Sequence, residues 1–462
     1  MKTRPVISTY VGESEWDFDF LLTPSNPSRE FIVNGITYEE IYRLAAGIIG
    51  LNPSSDNSRN VICLCTDDKA IIAASIIASL AGGPLLILPY AFSRQAIDEV
   101  CSSLSPSVLL ADRHGDFPPG YPVITPAMLN STSMSFERFI SPDDPFLMLF
   151  SGGSTGKPHV WSKTPRNLLG EAQYQSKKYG INRDDIFLST VPPQHIYGLL
   201  FSILMPLISS SRVLEGTYSF PREILHAVQK HNATILVGIP PCYRVMKTDD
   251  LQRHNLRMAF SSAGALREED AKYFFDKTDL GITEIYGSTE TGGVAARSHP
   301  INDESWTSID PVEWKISDGR LLVRSPFLSP TLPRCIDGFF ITADHADYEG
   351  DHKFILRGRA DDIIKIGGKR VDLAAVQDKL KHIKGVRDAV VVSYLAENGR
   401  QNEIAALVVS DLDTSQLRHQ MAATSEAYAI PRRIVAVTEI PVTSTGKYDR
   451  KEIDLILKTK KI

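Results

Sequence analysis

Residues 146–158 read Phe-Leu-Met-Leu-Phe-Ser-Gly-Gly-Ser-Thr-Gly-Lys-Pro. The first five are apolar with no polar alternation, which predicts a strand buried on both faces, as in a parallel sheet. At Ser151 the chemistry changes. Glycines let the backbone turn through positive φ and present successive amide N–H groups, a nest for phosphate oxygens. Ser151, Ser154 and Thr155 add hydroxyls and Lys157 adds charge, so Ser151, Gly152, Gly153, Ser154, Thr155, Gly156 and Lys157 form a candidate phosphate-binding loop. A plain Gly/Ser loop is the alternative. A Walker A loop is disfavoured, because Ser151 stands where its first glycine belongs and Pro158, not Ser or Thr, comes after Lys157.

The same apolar signature recurs on either side. Val61–Thr66, Leu85–Leu88, Val108–Ala111, Ile186–Thr190 and Thr234–Gly238 read as further buried strands. Helical patterns at Glu39–Ile49, Lys69–Leu80, Ser93–Ser103 and Pro221–His231 lie between several of them, and that alternation predicts an α/β fold. The apolar run Ala70–Phe92 is long enough to suggest a membrane span. Gly82-Gly83-Pro84 and Pro89 interrupt it, so a buried helix, a turn and a short strand are expected instead.

Near Gly358 the character changes to a compact α+β unit. A strand is expected at Ile363–Ile366, a helix at Leu373–Lys381, strands at Ala389–Tyr394 and Glu403–Ser410, a helix at Leu412–Tyr428 and a strand at Arg433–Val437. The expected organisation is a large N-terminal domain of layered sheets and helices over residues 1–357, a hinge at 358–361 and a small C-terminal domain over 362–462.

Composition bounds the function. The 462 residues are 43% hydrophobic and 23% charged, ordinary for a globular protein, with a net charge of −5, so the molecule as a whole is no sink for nucleic acid. Five cysteines in this length argue against a secreted disulfide scaffold, and Cys63 and Cys65, alternating on a strand, read as core. The first residues carry no apolar signal core, which makes the cytoplasm the expected location.

Four further clusters carry chemistry. Glu284-Ile285-Tyr286-Gly287-Ser288-Thr289-Glu290-Thr291-Gly292 embeds an acid among hydroxyls and glycines, where Glu290 could ligate Mg²⁺ beside a triphosphate and Tyr286 could stack on a base; taken alone, a polar loop with an ordinary surface glutamate is the better reading. Asp344 is expected just past a strand Phe339-Phe340-Ile341-Thr342, placed to hold ribose hydroxyls. Gly358-Arg359-Ala360-Asp361-Asp362-Ile363-Ile364-Lys365 is the next cluster, with a charged turn as its plain alternative. Pro441-Val442-Thr443-Ser444-Thr445-Gly446-Lys447-Tyr448-Asp449-Arg450 reads, taken alone, as a solvated loop with a lysine.

In order and spacing these five motifs resemble the adenylate-forming superfamily of acyl-CoA synthetases, peptide-synthetase adenylation domains and firefly luciferases, over nearly the whole chain. The resemblance implies adenylation of a carboxylic acid by ATP with Mg²⁺, then transfer of the acyl group to a thiol. The thiol would belong to coenzyme A or to the phosphopantetheine arm of an acyl carrier protein. By resemblance, residues 151–157 hold the β- and γ-phosphates, and His195 in Val191-Pro192-Pro193-Gln194-His195-Ile196-Tyr197-Gly198 flanks the substrate carboxylate. Gly264 and Ala265 in Ser262-Ala263-Gly264-Ala265-Leu266 line the adenine and the acyl chain. Tyr286, with Gly287 and Ser288 beside it, stacks on adenine, Thr289 meets the α-phosphate, and Glu290 binds the metal. Asp344 and Arg359 hold the ribose, Asp361 is the hinge residue, and Gly367-Gly368-Lys369-Arg370 meets the pantetheine thiol. Lys447 matches the lysine of the adenylation step.

Two departures stand out. The family usually has Lys after the loop proline, where this chain has His159, which supplies less positive charge near pH 7. The stretch Val371–Gln377 lacks the Pro and Glu common there. A non-catalytic adenylate-binding relative is the competing expectation, and His159 is its support.

Overall fold

The computed structural model describes residues 16–52, 59–113, 115–129, 131, 133–137, 139–151, 159–246, 254–299, 304–350, 352–359, 363–366, 369–395, 402–425, 427–443 and 446–459. The chain is an α/β protein with a large N-terminal domain and a small C-terminal one.

The first sheet holds β1 (Val61–Leu64), β2 (Leu85–Leu88), β3 (Val108–Leu110), β4 (Val123–Ile124), β5 (Leu147–Ser151) and β6 (His159–Lys163), in the order β4-β3-β1-β2-β5-β6. All neighbours run parallel except β5 and β6, which pair antiparallel with Ser151 opposite His159. The parallel strands are apolar throughout because helices cover both faces. The helix Tyr38–Ile49 starts with a reciprocal cap, Thr37 and Glu40 each satisfying the other's backbone amide. The helix Lys69–Leu80 is capped by Asp68 and buried along its whole length. It ends before Gly82, so the long apolar run divides as expected into helix, turn and strand. Among the described residues no helix is long and apolar enough to cross a membrane.

The second sheet contains β7 (Ile186–Ser189), β8 (Arg212–Thr217), β9 (Ile235–Gly238), β10 (Met258–Ser261), β11 (Ile282–Ser288), β12 (Gly292–His299), β13 (Trp306–Ser308), β14 (Glu313–Ser317), β15 (Arg320–Arg324), β16 (Phe340–Gly350) and β17 (Lys353–Arg359). Its order is β14-β15-β16-β17-β13-β12-β11-β10-β9-β7-β8. From β8 to β11 the neighbours are parallel; from β11 onward they are antiparallel. The reversal falls at the β11–β12 hairpin, where residues 289–291 turn the chain.

The small domain has the two-stranded β18 (Ile363–Ile366) and β19 (Lys369–Asp372), the helix Leu373–Lys381, and a sheet of β20 (Val386–Leu395), β21 (Asn402–Ser410) and β22 (Arg433–Ala436). Its apolar residues pack on either face of that sheet. Leu380, Ala406, Val408 and Leu417 are on one side, and Val392, Leu407, Ile453 and Leu457 on the other.

Three expectations need correction. Asp344 does not come after a strand; it lies inside the long β16, at a register irregularity between Asp344 and Ala346. The helix expected over 412–428 is Thr414–Thr424, because Asp413 caps its start and the chain is extended by Ser425. Gly358 and Arg359 close the strand β17 and are not part of a turn. Cys63 and Cys65 are fully or nearly buried in the packing around β1 and β3.

Candidate active site

The β11–β12 hairpin carries most of the second cluster. Tyr286, Gly287 and Ser288 are the last residues of β11, paired across to Ala295, Gly293 and Gly292. The turn is closed by Ser288 and Thr291: the Ser288 amide donates to Thr291 Oγ1 (3.0 Å) and the Thr291 amide to Ser288 Oγ (3.2 Å). Thr289 and Glu290 form the tip, and the Glu290 carbonyl accepts from the Ser329 amide (2.8 Å).

Tyr286 is wedged between Trp306 and Phe354, with ring centroids at 5.6 and 6.1 Å. Its hydroxyl donates to Asp344 Oδ2 at 2.6 Å. Burial first, and the Asp344 carboxylate second, push its pKa far up, so it stays a donor. Asp344 pairs in register with Arg359 across β16 and β17, and Arg359 Nη1 stands 3.6 Å from Asp344 Oδ1. The structure thus brings Tyr286, Asp344 and Arg359 together, with one carboxylate between a phenol and a guanidinium.

The segment 262–266 leaves the end of β10 and is tied to β11. Ser262 Oγ donates to the Ile285 carbonyl (2.8 Å), and the Leu266 amide to Glu284 Oε1 (3.0 Å). Gly264 and Ala265, between these ties, are exposed. Glu284 also accepts from Arg297 Nε (2.5 Å) and meets His299 Nε2 (2.7 Å). Burial alone would raise its pKa; the His299 and Arg297 contacts outweigh it and hold the carboxyl below its ordinary value.

His195 is the residue before the short helix Ile196–Leu199, which runs through a π-helical turn Leu200–Leu204 into Met205–Ser209. Gly198 is required there: a Cβ would come within 2.2 Å of the Pro192 carbonyl oxygen. The His195 Nε2 is buried with no hydrogen-bond partner among the described residues. Burial, and then the charge of Lys447, lower its pKa to about 4, so the imidazole is neutral at pH 7.

Lys447 comes from the small domain. Its turn is closed by the Thr443 amide on the Lys447 carbonyl (2.7 Å) and the Gly446 amide on the Thr443 carbonyl (2.9 Å). Gly446 has φ +76°, and a Cβ on it would sit 2.8 Å from Ile239 Cδ1 and 3.1 Å from Pro241 Cγ, so the turn lies directly on the large domain. The residue keeps exposed surface, but its ammonium is desolvated, which lowers its pKa; Glu290 opposes that shift and Arg359 adds to it. Lys447 is therefore within electrostatic reach of Glu290, Arg359 and His195.

Two site residues escaped the sequence reading. Lys163, 1% exposed at the end of β6, donates from Nζ to the Thr289 carbonyl (2.5 Å). Glu171, buried on the helix Gly170–Lys178, accepts from the Gly293 amide (2.7 Å). One grips each side of the hairpin tip. Burial drives the lysine pKa down to about 8, against the attraction of Glu171 and Glu290, and the glutamate pKa up to about 7. A charged residue whose partner is over a hundred positions away leaves no mark in spacing.

Ser151 ends β5. Gly152, Gly153, Ser154, Thr155, Gly156 and Lys157 lie outside the described residues, as do Asp361 and Gly368. His159, at the start of β6, is exposed, with its ring 6.0 Å from that of Trp161.

A family model for AMP-binding enzymes matches residues 37–326, which run from the first helix past the Glu290 hairpin. The chain belongs to the AMP-binding enzyme family. That family lies within the adenylate-forming superfamily. Among curated relatives, this family member is 25% identical to acetyl-coenzyme A synthetase 2 of Candida albicans, over 68% of this chain and 54% of that protein. It is 24% identical to the 3,4-dihydroxybenzoate–[aryl-carrier protein] ligase of Bacillus anthracis, over 68% of this chain and 74% of that one. The chain spans about half the length of the acetyl-coenzyme A synthetases it matches. Its fold is that of ATP-bound MatB from Rhodopseudomonas palustris, with a TM-score of 0.81 at 17% identity, covering 96% of this chain and 99% of that one. It is also that of the o-succinylbenzoate coenzyme A synthetase MenE of Bacillus subtilis, with a TM-score of 0.78 at 17% identity over 94% and 96% of the two chains.

Proposed function

We propose that this protein is an ATP-dependent, AMP-forming acid–thiol ligase. The observation that carries the reading is the seating of the Lys447 turn on the large domain, with Gly446 packed against Ile239 and Pro241, which puts Lys447 within electrostatic reach of Glu290, Arg359 and His195. A carboxylate attacking a polyphosphate is anion on anion, and the approach needs fixed positive charge and hydrogen-bond donors aimed at it. Lys447 fits that need: a long ammonium can face the substrate carboxylate and the α-phosphate together. His195, neutral and with Nε2 unpartnered, borders the carboxylate. Asp344 offers oxygens to the ribose hydroxyls, with Arg359 beside it and Tyr286 against the adenine. Thr289, at the hairpin tip, would meet the α-phosphate, and Gly264 and Ala265 would border the adenine and acyl sites. Residues 151–157 take the terminal phosphates.

Glu290 is the candidate metal ligand. Among the described residues no group of three or more His, Cys, Asp or Glu side chains gathers to hold a metal. A single carboxylate suits Mg²⁺, which keeps waters and takes its other oxygens from substrate phosphates. When bound it would neutralise phosphate charge.

The acceptor proposed is the pantetheine thiol of coenzyme A. The likeness to an aryl-carrier protein ligase supports a carrier-protein arm as the second reading. The division into residues 1–357 and 362–462 about a hinge at 358–361, with Asp361 as its pivot and Gly368 near the thiol, belongs to this proposal.

The test is carboxylate-dependent pyrophosphate release from ATP across a panel of aliphatic and aromatic acids, with and without coenzyme A. Release together with an acyl-CoA product supports the first reading. Release without a CoA thioester supports the second. No release from protein that binds ATP overturns both, and favours a non-catalytic adenylate-binding role.

A further inference from the structure

The two domains meet through a charge cluster outside the nucleotide site. Asp388, near the start of β20, is its centre. Its Oδ1 accepts from Tyr448 Oη at 2.7 Å and faces Lys381 Nζ at 3.4 Å and Arg267 Nη2 at 3.5 Å. Its Oδ2 faces Arg244 Nη1 at 3.4 Å. Tyr448 Oη in turn accepts from Lys381 Nζ at 2.9 Å. Lys381, Asp388 and Tyr448 belong to the small domain, Arg244 and Arg267 to the large one. Arg244 is held from behind by the fully buried Asp270, 3.6 Å from its Nε, and Arg267 also donates to the Arg387 carbonyl.

Tyr448 is the residue after Lys447. Val442 and Tyr448 form an isolated bridge, so the turn carrying Lys447 hangs from the tyrosine that Asp388 holds. The nucleotide site does not use this cluster: among the described residues, none of its members hydrogen-bonds to Tyr286, Asp344 or Glu290.

We propose that Asp388 is a positioning residue for the adenylation step, clamping the small domain to Arg244 and Arg267 and so setting the Lys447 ammonium beside Glu290 and Arg359. The inference rests on the ligase reading. Its physical basis is charge balance. One carboxylate sits among three cations; Asp270 stays beside Arg244 and Glu269 beside Arg267, but without Asp388 no anion ties those two arginines to Lys381, like charges face one another across the domain boundary, and the boundary opens. Thiol transfer from a finished acyl-adenylate does not need Lys447 in this place, so the two half-reactions separate the clamp from a general structural role.

The experiment uses the full chain with Asp388→Asn, Asp388→Glu and, from the large domain, Arg244→Gln. Adenylation is read as ATP–pyrophosphate exchange, and transfer as thioester formation from preformed acyl-adenylate. Loss of a charged hydrogen-bond centre is expected to lower the kcat of exchange about 10- to 100-fold in Asp388→Asn. KM for ATP and thioester formation are expected to stay within about twofold, and Asp388→Glu to recover part of the loss. Arg244→Gln is expected to show the same split, and it decides the matter if Asp388→Asn fails to fold. Exchange kept near wild type, or both half-reactions falling together, overturns the clamp. Hydrogen–deuterium exchange gives an answer that needs no turnover. Asp388→Asn is expected to speed exchange in peptides spanning Pro240–Val245 and Thr443–Tyr448 together; unchanged protection there overturns the clamp even if no acid is ever activated.

Discussion

The Tyr286 hydroxyl donates to Asp344 Oδ2 at 2.6 Å, joining the end of β11 to the middle of β16. The two strands are not neighbours; β17, β13 and β12 lie between them. A residue read as an adenine platform and one read as a ribose acceptor are thus parts of one hydrogen-bonded unit, each orienting the other.

Removing only the hydroxyl tests that unit. Tyr286→Phe keeps the ring between Trp306 and Phe354 but frees Asp344 to rotate. A hydrogen bond to a charged group contributes about 1.5–3 kcal/mol. Part of that is expected as a rise in KM for ATP of about 3- to 10-fold, with kcat little changed. ATP titration of pyrophosphate release measures it; an unchanged KM would mean that Asp344 is held without the tyrosine.

Lys447→Ala is expected to abolish adenylation and spare thiol transfer from preformed acyl-adenylate. Gly446→Ala should reproduce the effect in weaker form, because a Cβ there strikes Ile239 and Pro241 and lifts the turn. Paired measurements of pyrophosphate exchange and thioester formation decide the point. Equal loss of both steps in Lys447→Ala would sink the assigned role.

Lys69 offers a pH test remote from the Glu290 hairpin. It is 1% exposed, and its Nζ donates to the carbonyls of Leu214 (2.6 Å) and Gly216 (2.8 Å). Burial lowers its pKa from 10.5 to about 7, against nearby Asp67, Glu215 and Asp68. Between those two values the unfolded chain holds a proton the folded chain has lost, so stability from this group rises with pH across the window and is lowest below about 7. The Tm of wild type minus that of Lys69→Met should therefore rise between pH 7 and pH 9.5 in thermal unfolding. A flat difference would show the lysine titrating as in water.

His159→Lys is expected to leave pyrophosphate release equal or higher. The imidazole is exposed at the start of β6, opposite Ser151, and an ammonium in its place adds charge there. A large loss would assign His159 a specific task.

Burial explains which elements were legible in the sequence. Val61–Leu64, Leu85–Leu88 and Ile235–Gly238 read as strands because helices on both faces remove any polar alternation. The long β16 hid its true extent: Ala343-Asp344-His345-Ala346-Asp347-Tyr348-Glu349 is polar like a loop, yet it pairs antiparallel to β17, with Ala346 buried and Asp347, Tyr348 and Glu349 exposed. The C-terminal helix Arg450–Thr459 also went unread; Ile453 and Leu457, four apart, with Ile456 beside them, seat it on the small sheet. Lys163, Glu171 and Asp388 were invisible for another reason. Each is an ordinary charged residue locally, and becomes structural only through a partner brought up from far along the chain. The motifs around Glu290, Asp344 and Lys447 were found because their order, not their chemistry alone, is distinctive.

The reversal of the second sheet at the β11–β12 hairpin bears on how the site is assembled during folding. Tyr286 and Glu290 are laid down by a hairpin whose strands are three residues apart, and Asp344 and Arg359 by another whose strands are two apart. Such contacts close small loops and form early. The parallel half, from β8 to β11, waits on crossovers through whole helices. Trp306 opposite Phe354, on β13 between them, is the strand pairing that joins the two hairpins. A chain refolding from denaturant should thus own two half-sites before it owns one, and the rate at which nucleotide protection appears should track that single long-range union rather than collapse of the apolar core.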